Sequence, residues 1–158
     1  MSLEERVAAL ESRLRSAEDH LAILRVLNTY GRCVDTARGR DAADLWADDG
    51  FLDVVGMPRK YVDDIAAALG GTEQQSMNSH GCMHFVNSPK ITIAGDSAEA
   101  VTYNLVVLHY QGSFNIWRAA VNHWVFTRTA EGWKVKERYS SAVDGSDEAQ
   151  KLIMKAKD

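Results

Sequence analysis

Leu3, Val7, Leu10, Leu14, Ala17, Leu21 and Leu24 recur at alternating spacings of four and three. A heptad stripe of this kind is the signature of one helix face. Strong helix formers fill the positions between, and neither Gly nor Pro occurs before Gly31. The pattern predicts one helix from about residue 3 into the mid-thirties. Ahead of Asp19 and His20 the positions outside the stripe are strongly polar, which points to contact with another subunit. Beyond His20 the apolar set shifts to Ile23, Val26, Leu27, Tyr30 and Val34, the core-facing stripe of a surface helix.

Arg38-Gly39-Arg40-Asp41 reads as the helix break, with Asp41 the N-cap of a short helix through Trp46 that ends at Asp48-Asp49-Gly50. Phe51 to Val55 reads as a short strand, and Val62 to Leu69 as a helix stopped by Gly70-Gly71. Thr72 to Gly81 is polar and aperiodic, which predicts a mobile loop. From His84 onward the period becomes that of strands. Ile91 to Ile93 leads into a turn at Gly95-Asp96. Two long strands follow, Ala98 to Tyr110 and Ile116 to Arg128. A tight turn at Thr129 to Gly132 opens a last strand from Trp133 to Ser141. Pro89 stands at a strand start, where a missing donor is tolerated. Asp147 to Lys157 reads as a terminal helix.

Helices followed by long adjacent strands predict an α+β domain, an antiparallel sheet covered on one face by helices. Long strands twist and curl, which leaves a hollow between the concave face and the helices. Alternation puts Ala98, Ala100, Thr102, Asn104, Val106 and Leu108 on one face of the first long strand. Ala120, Asn122, Trp124 and Phe126 occupy one face of the next. Buried amides require partners, so Asn104 and Asn122 mark a polar spot in an otherwise apolar pocket.

Composition adds limits. The 158 residues suit one domain. Hydrophobic content of 46% permits a single buried core. A net charge of −4, with Lys and Arg scattered, argues against a general grip on nucleic acid. No apolar run is long enough to cross a membrane, and the charged, amphipathic start does not read as a signal peptide. Cys33 and Cys82 read as two reduced thiols of a cytoplasmic protein.

The candidate chemistry rests on three side chains. Tyr30 and Asp35 fall near the end of the first helix, and His84 falls in a strand-like segment. An imidazole, a carboxylate that orients it and a hydroxyl donor suffice to move a proton on and off carbon. Five helical residues separate Tyr30 from Asp35 by about 140°, so the two do not share a helix face. His80, His84, His109 and His123 fit no standard metal-ligand spacing, so no metal is expected. No phosphate loop or dinucleotide fingerprint is present.

These residues carry a resemblance. Leu27 to Asp35, Ala43 to Gly50, His84 to Ser88, Gly95 to Ala100 and Arg128 to Val135 resemble, in order, the recurrent segments of the SnoaL-like branch of the nuclear transport factor 2-like superfamily. Within it the chain is most similar to the scytalone dehydratase and bile acid dehydratase group, and its opening Leu3 to Glu11 is similar to the bile acid enzymes. The resemblance covers a core of about residues 20–142, which leaves a helical extension over 1–19 and a tail over 143–158. It implies a conical barrel formed by a strongly curved mixed or antiparallel sheet covered by the N-terminal helices. It implies catalytic roles for Tyr30, Asp35 and His84, no cofactor, and a homo-oligomer, a trimer ahead of a dimer.

The expected activity is that of a cofactor-independent lyase, a dehydratase acting on a small hydrophobic cyclic molecule of polyketide or steroid type. Trp46, Asn104, Trp117, Asn122 and Trp124 are its expected substrate-binding residues. The rivals are an isomerase or cyclase on a similar ligand, a ligand-binding module, and a noncatalytic β subunit of a ring-hydroxylating dioxygenase. No nucleic-acid or membrane partner is expected.

Overall fold

The computed structural model describes residues 1–155. Helix α1 runs over Leu3–Asp35. It opens on a reciprocal cap in which the Glu5 amide donates to Ser2 Oγ and the Ser2 amide donates to Glu5 Oε2. At about 1.5 Å per residue its 33 residues span roughly 50 Å. Its two halves differ as the stripe predicts. Leu3, Val7, Leu10 and Leu14 are exposed, whereas Ile23, Leu27, Tyr30 and Val34 are buried.

The changeover lies at Asp19. Its carboxylate accepts from Arg128 Nη1 at 2.8 Å, Arg128 Nη2 at 2.7 Å and Trp133 Nε1 at 2.9 Å. The Arg128 guanidinium lies over the Trp133 ring and also donates to Asp96. This clasp fastens the helix to the sheet where its packed half begins.

Helix α1 ends before the glycine that the sequence suggests. Ala37 takes a left-handed φ of 52°, the Ala37 amide donates to Val34 O, and the Arg38 amide donates to Cys33 O. These two bonds satisfy the last carbonyls of the helix. Gly39 serves close packing instead, since a Cβ there would collide with Ala66 O. The short helix α2 is Gly39–Ala43, and Asp41 lies in its first turn rather than capping it. Strand β1 then begins at Trp46 and runs to Val54, so Asp48 to Gly50 lie in a strand and not at a helix end. The pairing of β1 slips between Trp46 and Phe51, and Gly50 has no room for a Cβ. That irregularity hides the strand's alternation.

Next come β2 (Lys60–Tyr61), α3 (Val62–Gly70) and α4 (Thr72–His80). Helix α4 replaces the mobile loop expected there. Its amphipathicity is slight, and tertiary bonds hold it. Asn78 Nδ2 donates to Val34 O at 2.8 Å, and buried Gln74 donates to Asn78 Oδ1. The remaining elements are β3 (Cys82–Val86), β4 (Lys90–Ala94), β5 (Ser97–Tyr110), β6 (Ser113–Thr129), β7 (Gly132–Ala142) and α5 (Asp147–Ile153). Helix α5 stops at Ile153 with Met154 as its C-cap, short of the expected Lys157, which itself lies outside the described residues.

Among the described residues the sheet has seven strands in the order β2-β1-β7-β6-β5-β3, with β4 also paired to β5. It is mixed, because β1 runs parallel to β7, and it does not close into a complete barrel. Helix α1 packs against β3 and β7. Ile23, Leu27 and Tyr30 meet Ala98, Ala100, Trp124, Phe126 and Val135 in the core. Helix α5 packs on β6 and β7, so the helices are not confined to one face.

Two stability experiments follow. Ile23 is fully buried, so Ile23→Ala should cost about 2–5 kcal/mol in urea unfolding. Leu14 is exposed, so Leu14→Ala should stay within about 0.5 kcal/mol. A larger, concentration-dependent loss for Leu14→Ala would put the stripe in a subunit contact. Separately, the hydrogen bonds from Arg128, aided by Trp133 and the Arg128 charge, hold the Asp19 carboxyl at about 2 against an ordinary 3.8. A depressed carboxyl stabilises the fold above its unfolded value and loses that contribution as pH falls through its folded value. Asp19→Asn should therefore cost about 1 kcal/mol at neutral pH. It should also flatten the stability loss between pH 3.8 and about 2, as followed by denaturation across that range.

Candidate active site

Tyr30 faces inward from α1. Its ring packs edge-on against Trp46 at 5.2 Å and Trp124 at 5.5 Å between centroids. Its hydroxyl oxygen accepts from Arg138 Nη1 at 2.6 Å. The phenol's own hydrogen is thereby left to donate elsewhere.

Asp35 is the last residue of α1, where the helix dipole disfavours a carboxylate. Strand β3 supplies the compensation. Both Asp35 oxygens accept from the His84 amide at 3.1 Å, and Oδ1 meets His84 Nδ1 at 2.6 Å. The two side chains are largely buried, 15% exposed for His84 and 24% for Asp35. An Nδ1–H held by a carboxylate leaves Nε2 as the basic nitrogen.

The angular separation of Tyr30 and Asp35 is real, and His84 reconciles it. Tyr30 and His84 line a cavity of about 210 Å³ between the helices and the sheet. Asp35 lies outside that cavity, in a second hollow beside Gly31, Arg32 and Phe85. His84 borders both hollows. The carboxylate therefore stands behind the imidazole, while the hydroxyl shares the imidazole's cavity.

The expected substrate-binding residues divide. Asn104 and Trp117 line the cavity, Asn104 with a buried Oδ1 that has no hydrogen-bond partner among the described residues. Trp46, Asn122 and Trp124 do not line it. Trp46 and Trp124 form the packing behind Tyr30, and Trp124 Nε1 donates to Thr102 Oγ1 at 3.0 Å. Asn122 is fully buried, and its Oδ1 accepts from Arg138 Nη2 at 3.0 Å.

Arg138 is the residue that sequence reasoning misses. It is 7% exposed and lines the cavity. Its guanidinium lies over the Tyr30 and Trp124 rings, and its bonds go to neutral acceptors. Arg118 lines the same cavity. Simple alternation from Trp133 and Val135 would turn Arg138 outward. The β6–β7 pairing slips between Val125 and Phe126, with Lys136 as the extra residue, and this resets the parity. A second slip, with Trp117 as the extra residue, lets consecutive Trp117 and Arg118 border one cavity.

The other imidazoles stand elsewhere. His123 lies on the opposite face, bonded to Glu99 at 2.8 Å, and burial pushes its pKa down. His80 and His109 adjoin one another at a different hollow. Cys82 Sγ lies 3.9 Å from His84 Nδ1, and Asp35, Cys82 and His84 place ligand atoms within 4.8 Å of one another. Burial and the Asp35 charge push the Cys82 thiol up, which disfavours a nucleophilic thiolate.

The family profile of the SnoaL-like domain matches residues 15–139. No curated protein is a match. An NTF2-like protein with a cystatin-like fold from Novosphingobium aromaticivorans is 33% identical, with a TM-score of 0.88 over 91% of this chain and 94% of that one. ActVI-ORFA from Streptomyces coelicolor is 19% identical, with a TM-score of 0.66 over 80% of this chain and 97% of that one. A candidate dehydratase of the NTF2-like family from Streptomyces avermitilis is 16% identical, with a TM-score of 0.66 over 81% and 98%. The last two share the fold.

Proposed function

This chain belongs to the SnoaL-like domain family, and we propose that it is a cofactor-independent lyase that dehydrates a hydrophobic cyclic hydroxy-carbonyl compound. The observation that carries the reading is the 2.6 Å bond between Asp35 and His84, set so that His84 shares a cavity with the Tyr30 hydroxyl. His84 Nε2 takes the proton from the carbon next to the carbonyl. Asp35 holds the tautomer and stabilises the imidazolium that forms. Tyr30 donates to the carbonyl oxygen as negative charge develops there, with the Arg138 cation directly behind the phenol. The enolate then expels the β-hydroxyl, which leaves as water with the proton returned from His84. A carbon–carbon double bond forms, and the side chains end as they began. A cavity of about 210 Å³ lies below the roughly 300–1,000 Å³ of drug-sized pockets, which favours a compact ring over a steroid nucleus.

The assay offers β-hydroxy cyclic ketones in deuterated buffer. NMR then follows exchange of the proton next to the carbonyl, and mass spectrometry follows loss of water. His84→Ala and Asp35→Asn should each slow exchange by roughly 10²–10⁴-fold with an unchanged circular dichroism spectrum. Tyr30→Phe should slow it by roughly 10²–10³-fold. Wild-type rates in all three variants would sink the assignment. Exchange without loss of water would identify an isomerase instead.

A further inference from the structure

We propose that the substrate carries a carboxylate and that Arg118 holds it in the cavity that His84 lines, an inference that rests on the catalytic reading above. Three strands place the groups. His84 on β3 pairs with Val106 on β5, and Val106 pairs with Arg118 on β6, so imidazole and guanidinium occupy one cross-strand row. Both side chains line the cavity.

The charge of the wall is one-sided. The protein as a whole carries −4, yet the cavity wall contains Arg118 and Arg138 and neither Asp nor Glu. Asp35 lies behind His84, in the other hollow. Among the described residues none forms a hydrogen bond or ion pair with half-buried Arg118. Arg138 donates only to the neutral oxygens of Tyr30 and Asn122. Burial and the neighbouring Arg138 charge both pull the Arg118 pKa below its ordinary value. A bound anion relieves both penalties, and a guanidinium fork matches a carboxylate with two parallel hydrogen bonds.

The rest of the wall, which includes Met57, Leu69, Val106 and Trp117, suits a compact apolar body. A ring held by its carboxylate at Arg118 presents its carbonyl side to Tyr30 and an adjacent C–H to His84. A phosphate, with three acceptor oxygens and nearly two charges, calls for more cationic donors than the single unpaired guanidinium of Arg118 offers. Arg118 is thus a substrate-selecting residue, and it takes no part in the proton transfers.

Calorimetric titration of the full chain with 1-naphthoate, 1-naphthamide and 1-naphthyl phosphate tests the proposal. The carboxylate should bind at least about tenfold tighter than the isosteric amide, as one charged hydrogen-bonded contact warrants. Arg118→Gln should bring naphthoate down to the affinity of the amide and leave the amide unchanged, and Arg118→Lys should keep part of the preference. His84→Gln should retain the preference, since the imidazole is not the anchor. Equal affinities in the wild type, no saturable binding of naphthoate, tighter binding of the phosphate, or a preference that survives Arg118→Gln would each overturn the proposal. Proton exchange on neutral ketones is read separately. Loss of exchange with the carboxylate preference intact would remove the lyase and leave a carboxylate-binding cavity, and the reverse would remove only the anchor.

Discussion

A carboxylate at the negative end of a long helix is poorly placed, and the fold turns that into an anchor. Asp35 gains three donor contacts from one residue, the backbone and ring of His84. Strand β3 is five residues long and stands at the end of the sheet, paired to β5 alone. Short edge strands have little else to hold them. The bond to Asp35 therefore does two things at once. It ties the edge of the sheet to α1, and it sets the angle of the imidazole that faces the cavity. Positioning of the proposed base is a by-product of closing the fold.

The second constraint is the buried cation. Arg138 has no carboxylate partner among the described residues, and its charge is met by two aromatic faces and two neutral oxygens. Such a group costs stability, since an apolar side chain of similar volume would pack there without desolvating a charge. Its position explains what the cost secures. Arg138 holds the oxygen of Tyr30, whose ring is wedged between Trp46 and Trp124. The core of the protein thus fixes the phenol ring from one side and the cation holds its oxygen from the other.

Much of this fold was legible in the pattern of side chains. The exposed and buried halves of α1 and the long hairpins of β5, β6 and β7 follow from periodicity. The pairing of Asp35 with His84 does not, and only the family resemblance pointed to it. The part that was not legible depends on long-range contacts. Thr72 to His80 has no strong apolar face, and its helix is held by Asn78 reaching Val34 O from 44 residues away. Trp46 to Gly50 reads as helix because the β1 slip erases its alternation. Asn122 and Trp124 share the strand face of the cavity residues, yet other side chains stand between them and the open space.

Arg138 shows why the missing information matters for function and not only for assignment. Trp133 and Val135 point into the core. Continued alternation would bring Glu137 and Tyr139 inward next. One extra residue, Lys136, shifts the phase, and Arg138 and Ser140 enter instead. The displaced Lys136 ammonium pairs on the surface with Asp49, which belongs to the irregular stretch of β1 opposite. Without that slip a glutamate would face Tyr30, and the cavity would disfavour the negative charge that the proposed proton abstraction creates. The charge that faces Tyr30 is therefore set by a single extra backbone residue, which no reading of residue types along a regular strand reveals.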